Sequence, residues 1–363
     1  MAVALSRGPH HRFGGAPIPS SNGATRLIEP MLPRITLITP SFRQAAFLEE
    51  CLRSVHDQRY PNLEHMVVDG GSADGSATII ESYAAKLAWW CSERDHGQSH
   101  ALNKGLARAT GEVFGWINSD DLLLPGSLQR VGEAFRDDPG LVVLTGVRRL
   151  RRMDGTEVPM GVDDVSDPER LFTAPHVNQQ CTFFRRDVVR EVGLLDERLH
   201  CVMDYELWLQ VLLRKGTQGL RVVPWELAVF RSHAASKTAV QSRAFLDEQA
   251  GVLAQMCKDT GLDNLARVLA IGHELPEGLR GVPVIEKHRP LVRSMAVAFL
   301  LKWHYTIFSE RDFRMMRQFR DLGIGTGPLD PERRSQLARL DEQLRSRTWT
   351  VFRARRKWKH FWS

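Results

Sequence analysis

Residues 35–69 read ITLITPSFRQAAFLEECLRSVHDQRYPNLEHMVVD, and this stretch decides the predicted fold class. Ile35–Thr39 is a short apolar, β-branched run that predicts a strand, and Leu63–Val68 predicts a second one. Between them, apolar side chains recur at helical spacing from Ala45 to Asp57, which predicts a helix. A strand, a helix and a second strand in this order indicate two parallel strands joined by a helical crossover.

The same alternation of strands and helices continues outward from this unit. Further strands are predicted at Leu87–Cys91, Glu112–Ile117, Leu141–Thr145, Cys181–Phe184, Leu220–Val223 and Leu227–Phe230. Further helices are predicted at Ser76–Lys86, Ser99–Ala109, Gly126–Arg136 and Asp204–Arg214. Beyond about Gln241 the pattern is helical to the end of the chain. We therefore predict an α/β fold, with a mixed, largely parallel sheet flanked by helices and a helical C-terminal extension.

The composition is that of an ordinary globular protein. The 363 residues are 43% hydrophobic and 25% charged, which excludes disorder, collagen and a disulfide scaffold as overall descriptions. The net charge of +6 is unevenly distributed, because the part from Leu291 onward holds 16 Lys and Arg against 7 Asp and Glu. That part carries +9, and Met1–Pro290 carries −3. A slightly acidic body and a strongly basic C-terminal quarter are predicted to have different partners.

Cysteine usage and hydropathy predict a cytoplasmic protein. The five Cys residues form no CxxC pair and no Cys/His cluster at zinc spacing, which favours a reducing compartment. Residues 1–33 lack an apolar segment long enough for a secretion signal, and we expect a disordered leader there. The most apolar stretch, Ser294–Leu301, is far shorter than the roughly 20 residues of a membrane-spanning helix.

Polar side chains follow three of the predicted strands at the point where each strand ends. They are Thr39-Pro40-Ser41, Asp69 and the pair Asp120-Asp121. The carboxyl ends of parallel strands meet at one sheet edge, where ligands of such folds bind. A single Asp is typical of a turn or a helix cap, but two acidic positions at one edge favour a site for a divalent cation and a phosphate. The sequence has no GxGxxG after the first strand and no GxxxxGK[ST], which disfavours dinucleotide-binding and P-loop proteins.

Six collinear stretches carry a family resemblance. They are ITLITPSF (35–42), YPNLEHMVVDGGSADGS (60–76), SERDHGQSHALNKGLARATGEVFGWINSDDLLLPGSL (92–128), QQCTFFRRDVVREVGLLDERL (179–199), MDYELWL (203–209) and FRSHAASKT (230–238). Together they resemble the family 2 glycosyltransferases, which are inverting enzymes with the Rossmann-like GT-A fold. The resemblance covers residues 34–238. It implies a GT-A catalytic domain at 34–240, preceded by the leader and followed by a helical, basic region at 241–363.

The resemblance implies a nucleotide-sugar site at the sheet edge. Thr39 and Pro40 match the family's loop against the nucleotide base, and Asp69 matches the carboxylate that contacts the nucleoside. Asp120 and Asp121 match its DXD-type motif, written here SDD. Asp121 is expected to bind a divalent cation, Mn²⁺ or Mg²⁺, directly, and Asp120 to face the ribose or the metal shell.

The resemblance also implies catalytic and diphosphate-binding residues further along the chain. Asp204 matches the family's catalytic base, and its alternative is a plain helix N-cap. Trp208, in the same motif, is expected to pack in the core. His233 falls where several GT-A enzymes place a late metal or diphosphate contact, with a structural hydrogen-bonding role as the alternative. Lys237 is expected to reach the diphosphate.

Four positions depart from the usual pattern of the family. They are Arg43, His100, Met203 and Gln210. None of them removes a core catalytic group, but they leave the donor sugar and the nucleotide base open. No sequence pattern indicates the acceptor, the linkage or the oligomeric state.

The C-terminal residues TWTVFRARRKWKHFWS (348–363) interleave basic and aromatic side chains. This interleaving suits an anionic membrane surface. Upstream, Leu291–Phe308 predicts an amphipathic helix. Its apolar side consists of Phe299, Leu300, Trp303 and Ile307. The alternative is that both segments pack on the catalytic domain and the charges are merely solvated. No recognition fold for nucleic acid accompanies the charge, so nucleic acid is not an expected partner.

We therefore predict an inverting glycosyltransferase that moves a sugar from a nucleotide-diphosphate sugar to a hydroxyl of a glycan or lipid-linked acceptor. Its expected setting is bacterial cell-surface polysaccharide or lipid-linked glycan synthesis, at the inner face of the plasma membrane. The alternative is a catalytically silent nucleotide-sugar-binding or scaffolding protein of the same pathway. A sugar nucleotidyltransferase is disfavoured, because PSFRQAAF (40–47) is not the Gly-, Arg- and Lys-rich loop that it needs after the first strand.

Overall fold

The computed structural model describes residues 31–161, 169–173, 175, 177–234, 236–237, 242–304, 309–323, 331–345 and 348–354. The predicted leader as far as residue 30 lies outside the described residues, and so does the basic end of the chain at 355–363.

Strands and helices alternate through the first half of the chain, and helices follow. The described strands are β1 Ile35–Ser41, β2 Leu63–Asp69, β3 Trp89–Ser92, β4 Val113–Trp116, β5 Leu122–Leu123, β6 Val143–Arg151, β7 Glu157–Met160, β8 Thr182–Arg185 and β9 Leu220–Arg231. The described helices are α1 Ala45–His56, α2 Ser76–Ser82, α3 Gln98–Leu106, α4 Ser127–Asp137, α5 Arg170–Thr173, α6 Arg186–Glu191, α7 Met203–Lys215, α8 Ser242–Asp259, α9 Asp263–Gly272, α10 Arg289–His304, α11 Glu310–Asp321 and α12 Pro331–Gln343. Short 3₁₀ turns lie at Ala84–Lys86, Gln179–Cys181 and Glu286–His288.

The strands form one sheet in the order β3-β2-β1-β4-β8-β6-β9-β5, and β7 pairs with the outer part of β6. The four strands β3, β2, β1 and β4 are parallel, so their carboxyl ends lie at the same edge. Strand β8 runs antiparallel to both β4 and β6, which makes β6 point the same way as β4. The predicted fold class, a mixed and largely parallel α/β sheet, is confirmed.

One strand prediction is wrong in a way that the register explains. Leu220–Val223 and Leu227–Phe230 were expected to be two strands, but they belong to the single strand β9. Thr145 is paired with Val222, whereas Val147 is paired with Glu226, so the register shifts at this point. The intervening Pro224 has no N–H to donate, and a bulge is the place where a strand tolerates it.

The burial of apolar side chains explains why these segments form strands and helices. Every residue of β1 is buried, as expected for a central strand of a parallel sheet. Helix α1 has one buried face, which packs on the sheet and consists of Leu48, Cys51, Leu52 and Val55. Trp208 on α7 is also buried, and its Nε1 donates a hydrogen bond to the carbonyl oxygen of Leu171 at 3.2 Å. Trp208 therefore packs in the core, as expected.

The apolar stretch of α10 is buried inside the protein. From Met295 to Leu301 no residue is more than 7% exposed. This stretch belongs to the same apolar cluster as Leu207 and Trp208 of α7 and Val252 of α8. Phe299 and Leu300, on the apolar side of the helix predicted at Leu291–Phe308, therefore face protein, as in the packing alternative. Ile307 and the side chain of Trp303, from the same predicted apolar side, lie outside what the structure describes. No helix among the described residues is both long and apolar enough to cross a bilayer.

Both sides of the predicted boundary at residue 240 contribute to this cluster. The division into a domain at 34–240 and a region at 241–363 stays a prediction.

Candidate active site

The predicted nucleotide loop begins at the end of β1. Thr39 is buried, and its Oγ1 lies 3.0 Å from Nε2 of His65 on β2. The Nδ1 atom of His65 lies 3.2 Å from Nε2 of His56. Burial lowers the pKa of His65 to about 3, and the nearby His56 adds to this, so the ring is neutral. The Thr39 hydroxyl thus already has a hydrogen-bond partner within the protein, His65. The buried Oγ of Ser41, in contrast, has no hydrogen-bond partner among the described residues.

Asp69 ends β2 and organises the turn that follows. Its Oδ2 accepts hydrogen bonds from the backbone N–H groups of Gly71 and Ser72, at 3.1 and 2.8 Å, and from Oγ of Ser92 at 2.6 Å. Its Oδ1 accepts one from Oγ of Ser72 at 2.6 Å. Asp69 is completely buried. Its carboxylate therefore fixes the shape of the loop next to β1, whichever ligand that loop receives.

Arg231, the last residue of β9, holds the SDD motif. Its backbone N–H donates to Oδ1 of Asp121 at 3.2 Å, and its guanidinium donates to the carbonyl oxygens of Asp120 and Phe47. The guanidinium also pairs with Glu50 at 2.6 Å. Asp121 is 0% exposed, and its Oδ2 has no hydrogen-bond partner in the described structure. Burial raises the pKa of Asp121 well above its usual value, and the Asp120 carboxylate adds to this, while Arg231 opposes it.

Asp120 is the accessible acid of the motif. Its Oδ2 lies 3.1 Å from Nε2 of His233, and the His233 ring stacks on Phe47 with the ring centroids 4.4 Å apart. A carboxylate oxygen and an imidazole nitrogen at this spacing can bind one divalent cation together. The structure thus brings His233 to Asp120. Asp121, which was predicted with His233 as a metal ligand, is enclosed, and its buried Oδ2 has no hydrogen-bond partner among the described residues, so that assignment stays a prediction.

Asp204 is the second residue of α7, so it lies in the first turn of that helix. The cap position belongs to Val202, which excludes the plain N-cap alternative. Oδ1 of Asp204 accepts a hydrogen bond from the backbone N–H of Tyr205 at 2.8 Å. Burial raises the pKa of Asp204 to about 6, while backbone hydrogen bonds and the charges of Arg148 and Lys237 oppose this. A partly accessible carboxyl group with a pKa near 6 is suited to accept a proton at neutral pH.

Lys237 lies close to both acidic positions. Its Nζ donates to Oε1 of Gln98 at 2.8 Å and to the carbonyl oxygen of His200 at 3.0 Å. Burial lowers its pKa, whereas nearby acidic groups, including Asp120 and Asp204, raise it. The chain therefore gathers an acid–imidazole pair, an ammonium group and a carboxyl group of raised pKa at one end of the sheet.

Glu248, on α8 in the C-terminal region, was not among the residues predicted from the sequence. Its buried carboxylate accepts hydrogen bonds from the backbone N–H groups of His200, Cys201 and Val202, at 2.8 to 3.1 Å. These N–H groups lead into α7, the helix that carries Asp204. No motif marks Glu248, because its role depends on a contact between segments that are 46 to 48 residues apart.

One group of three side chains with metal-ligand chemistry is found among the described residues. His96, His100 and Glu197 place their ligand atoms within 4.8 Å of one another. However, Nδ1 of His100 already accepts a hydrogen bond from the backbone N–H of His96 at 3.1 Å, and the two rings stack with centroids 4.7 Å apart. His96 and Glu197 are also exposed, and exposed acidic groups of this kind are common without a bound ion.

Comparison with known proteins places the chain in a family. Residues 36–193 match the family described as "Glycosyl transferase family 2". An uncharacterised glycosyltransferase of Mycobacterium tuberculosis is 30% identical over 189 residues, which are 50% of this chain and 70% of that protein. The chain belongs to glycosyltransferase family 2. The mixed sheet is accordingly the GT-A fold that the resemblance implied.

Other similar proteins cover the chain to different extents. An uncharacterised glycosyltransferase of Rickettsia typhi is 29% identical over 188 residues, and this family 2 chain spans 59% of its length. The structure of Staphylococcus aureus TarS 1–349 with UDP-GlcNAc has a TM-score of 0.49 and 16% identity, over 89% of this chain and 92% of that one. The mannosyltransferase PcManGT from Pyrobaculum calidifontis, with GDP-Man and Mn²⁺, has a TM-score of 0.45 and 18% identity, over 86% and 87%.

Proposed function

We propose that this family 2 chain is an inverting glycosyltransferase that transfers a sugar from a nucleotide-diphosphate sugar to an acceptor hydroxyl. The observation that carries the proposal is the position of Asp204, a carboxyl group of pKa about 6 within electrostatic reach of Lys237, which is also within reach of Asp120, the partner of His233. A base, cationic side chains and a candidate cation site at one sheet edge are the groups that such a transfer needs.

Asp204 acts as the general base. In an inverting transfer, the acceptor hydroxyl attacks the anomeric carbon from the face opposite the leaving nucleoside diphosphate. The carboxylate accepts the hydroxyl proton as the new bond forms, and a pKa near 6 leaves it ionised at pH 7 but still basic enough for this step. Its place in the first turn of a buried helix keeps the carboxylate in one position.

Asp120 and His233 hold a divalent cation, Mn²⁺ or Mg²⁺. Their donor atoms are one carboxylate oxygen and one imidazole nitrogen, 3.1 Å apart, and this chemistry fits either ion. The bound ion supplies charge neutralisation for the departing diphosphate. Arg231 fixes the backbone of Asp120, and Phe47 fixes the His233 ring by stacking. Asp121 is enclosed next to them, and its role as a direct ligand, which the resemblance implied, stays a prediction.

The remaining predicted residues bind the nucleotide sugar. Lys237 places an ammonium group near Asp120, where it can contact the diphosphate. The loop at Thr39 and Pro40 presents its backbone to the base, because the Thr39 side chain is bonded to His65. Asp69 supports this loop through the turn at Gly71 and Ser72.

We place the reaction in bacterial cell-surface polysaccharide or lipid-linked glycan synthesis. The support is the basic and aromatic C-terminal sequence, which suits attachment to the anionic inner face of the plasma membrane. A protein attached to this surface would meet lipid-linked or glycan acceptors that are located there.

The decisive experiment is a screen of nucleotide sugars for cation-dependent hydrolysis and transfer, with wild-type protein and Asp204→Asn. We expect turnover by the wild type, loss of turnover in Asp204→Asn and unchanged nucleotide binding in the presence of Mn²⁺. The matched control is Asp187→Asn on α6, because the side chain of Asp187 is 85% exposed and its ion-pair partner is the neighbouring Arg186. The alternative function is a catalytically silent nucleotide-sugar-binding protein. Nucleotide binding without turnover of any sugar in the wild type would establish that alternative.

A further inference from the structure

Strand β6 carries arginines on both of its faces, and among the described residues only those on one face have acidic partners. Arg149 pairs with Glu226 at 2.5 Å, and Arg151 pairs with Glu157 at 2.8 Å. Side chains alternate along a strand, so Arg148 points to the opposite face. No described carboxylate lies within 4.0 Å of its guanidinium, and its contact is with the Phe230 ring, 5.1 Å from Cζ to the centroid.

Arg148 also makes no hydrogen bond from its side chain to the part of the chain that the structure describes. Its Nε is buried without a partner, and no hydrogen bond from its guanidinium to another described residue is found. A guanidinium group has five N–H donors in a fixed fork, and a buried donor left unsatisfied lowers the stability of the fold. An arginine kept in this state is stabilised when an anion with two or more oxygens binds to the fork.

The position of Arg148 relates it to the proposed base. Its positive charge opposes the raised pKa of Asp204, so the guanidinium lies within electrostatic reach of that carboxyl group, and no ion pair joins the two residues. Strand β6 lies beyond β4 and β8 in the sheet, on the side away from the loop at Thr39. Arg148 and the proposed nucleotide loop therefore belong to opposite halves of the sheet.

We propose that Arg148 binds an oxyanion, a phosphate or a carboxylate, on the acceptor, next to the hydroxyl that Asp204 deprotonates. This inference rests on the proposed function and adds the chemical class of the acceptor to it. The donor diphosphate is the other source of such an oxyanion, and it has its own cationic side chain in Lys237 near Asp120. The fork of Arg148 then orients the acceptor, while Asp204 receives the proton.

The test measures binding of small anions to the full chain saturated with UDP or, in parallel, GDP, in the presence of Mg²⁺. Inorganic phosphate and acetate serve as probes, titrated by calorimetry. The variants are Arg148→Gln, which removes the charge, and Arg148→Lys, which keeps the charge without the fork. Arg149→Gln is the matched control, because it removes a paired arginine from the other face of the same strand. Thermal unfolding shows that each variant is folded.

We expect phosphate or acetate to bind the wild type and Arg149→Gln equally, and Arg148→Gln at least about tenfold more weakly, with Arg148→Lys between them. Equal anion binding by Arg148→Gln and the wild type, or none by either, overturns the inference. A parallel loss of UDP or GDP affinity in Arg148→Gln also overturns it, because Arg148 would then bind the donor diphosphate. Failure of the wild type to bind any nucleotide contradicts the proposed function itself, and is thereby distinguished from failure of this inference alone.

Discussion

The carboxylate of Glu248 accepts a hydrogen bond 2.8 Å long from the backbone N–H of Cys201, three residues before Asp204. The same carboxylate also accepts from the N–H groups of His200 and Val202. A negative charge at the start of a helix satisfies donors that have no partner inside the helix. Helix α8 of the C-terminal region thereby supports the helix that carries the proposed base, although it lies outside the stretch that matches the family.

Replacement of Glu248 by Ala is expected to lower the free energy of unfolding by about 3 kcal/mol, since it leaves several buried N–H groups without a partner. It is also expected to reduce turnover more than nucleotide affinity, because α7 carries Asp204 rather than the nucleotide loop. Chemical denaturation and steady-state kinetics with the identified donor measure both effects. Asp259→Asn, an exposed acid on the same helix, is the control. If Glu248→Ala has the stability and turnover of the wild type, the hydrogen bonds between its carboxylate and the backbone at the start of α7 are dispensable.

The pH dependence of turnover is predicted by Asp204. Its pKa is raised from 3.8 to about 6, and a general base acts in its deprotonated form. The rate is therefore expected to fall about tenfold per pH unit below pH 6 and to be level above it. Arg148 and Lys237 face this carboxyl group and oppose the rise in its pKa. The measurement is kcat/KM between pH 4.5 and 8.5, and an acid limb centred near pH 4 would contradict the burial of the base.

Much of the fold could be predicted because the central strands are buried on both faces. Ile35–Ser41 begins with an apolar, β-branched run and Leu63–Asp69 contains the apolar run Met66–Val68, and the observed bounds of both differ from the predicted ones by one or two residues. The error at β9 arose because Pro224 is typical of a strand end. Only its neighbours in β6 reveal that the strand continues past it through a shift in register.

The site could be predicted only as far as motifs reach. Asp120, Asp204 and His233 were found because each lies in a recognisable stretch, and the structure brings Asp120 and His233 together. Which of two adjacent acids is accessible could not be predicted, because it depends on how Arg231 closes over Asp121. Glu248 could not be found at all, since its partners are main-chain groups that have no sequence signature.

Cation binding is expected to depend on Asp120 and His233. His233→Ala and Asp120→Asn should each raise the Mn²⁺ concentration for half-maximal turnover at least about tenfold, because each removes one protein ligand. Asp121→Asn should raise it less, since Asp121 is enclosed and lies beneath the pair. Manganese titrations of turnover, with equilibrium Mn²⁺ binding by electron paramagnetic resonance, measure this order.

His96→Ala is the control for these titrations, because His96 belongs to the separate group with His100 and Glu197. A larger effect of Asp121→Asn than of Asp120→Asn would favour Asp121 as the direct cation ligand, as predicted from the sequence. A larger effect of His96→Ala than of His233→Ala would move the cation site to that other group.

Membrane attachment is expected to depend on the last nine residues, 355–363. Trp349 and Phe352, the first aromatic residues of the basic end, pack against Phe313 on α11 with ring centroids 5.8 and 5.3 Å away. Residues 348–354 thus belong to the fold, and their removal would expose part of the core. Residues 355–363 hold four Lys or Arg and three aromatic side chains, a composition that suits an anionic bilayer.

Deletion of residues 355–363 is therefore expected to lower binding to vesicles containing phosphatidylglycerol at least about tenfold, because each basic residue near such a surface contributes about 1 kcal/mol. Binding to neutral phosphatidylcholine vesicles should stay weak for both proteins, and added salt should weaken only the full chain. Vesicle flotation measures all three. A second variant, with the four basic residues replaced by Gln and the aromatic ones kept, separates charge from apolar insertion. If the full chain and the protein without residues 355–363 float equally with anionic vesicles, these residues do not attach the protein to membranes. Their charges are then simply solvated.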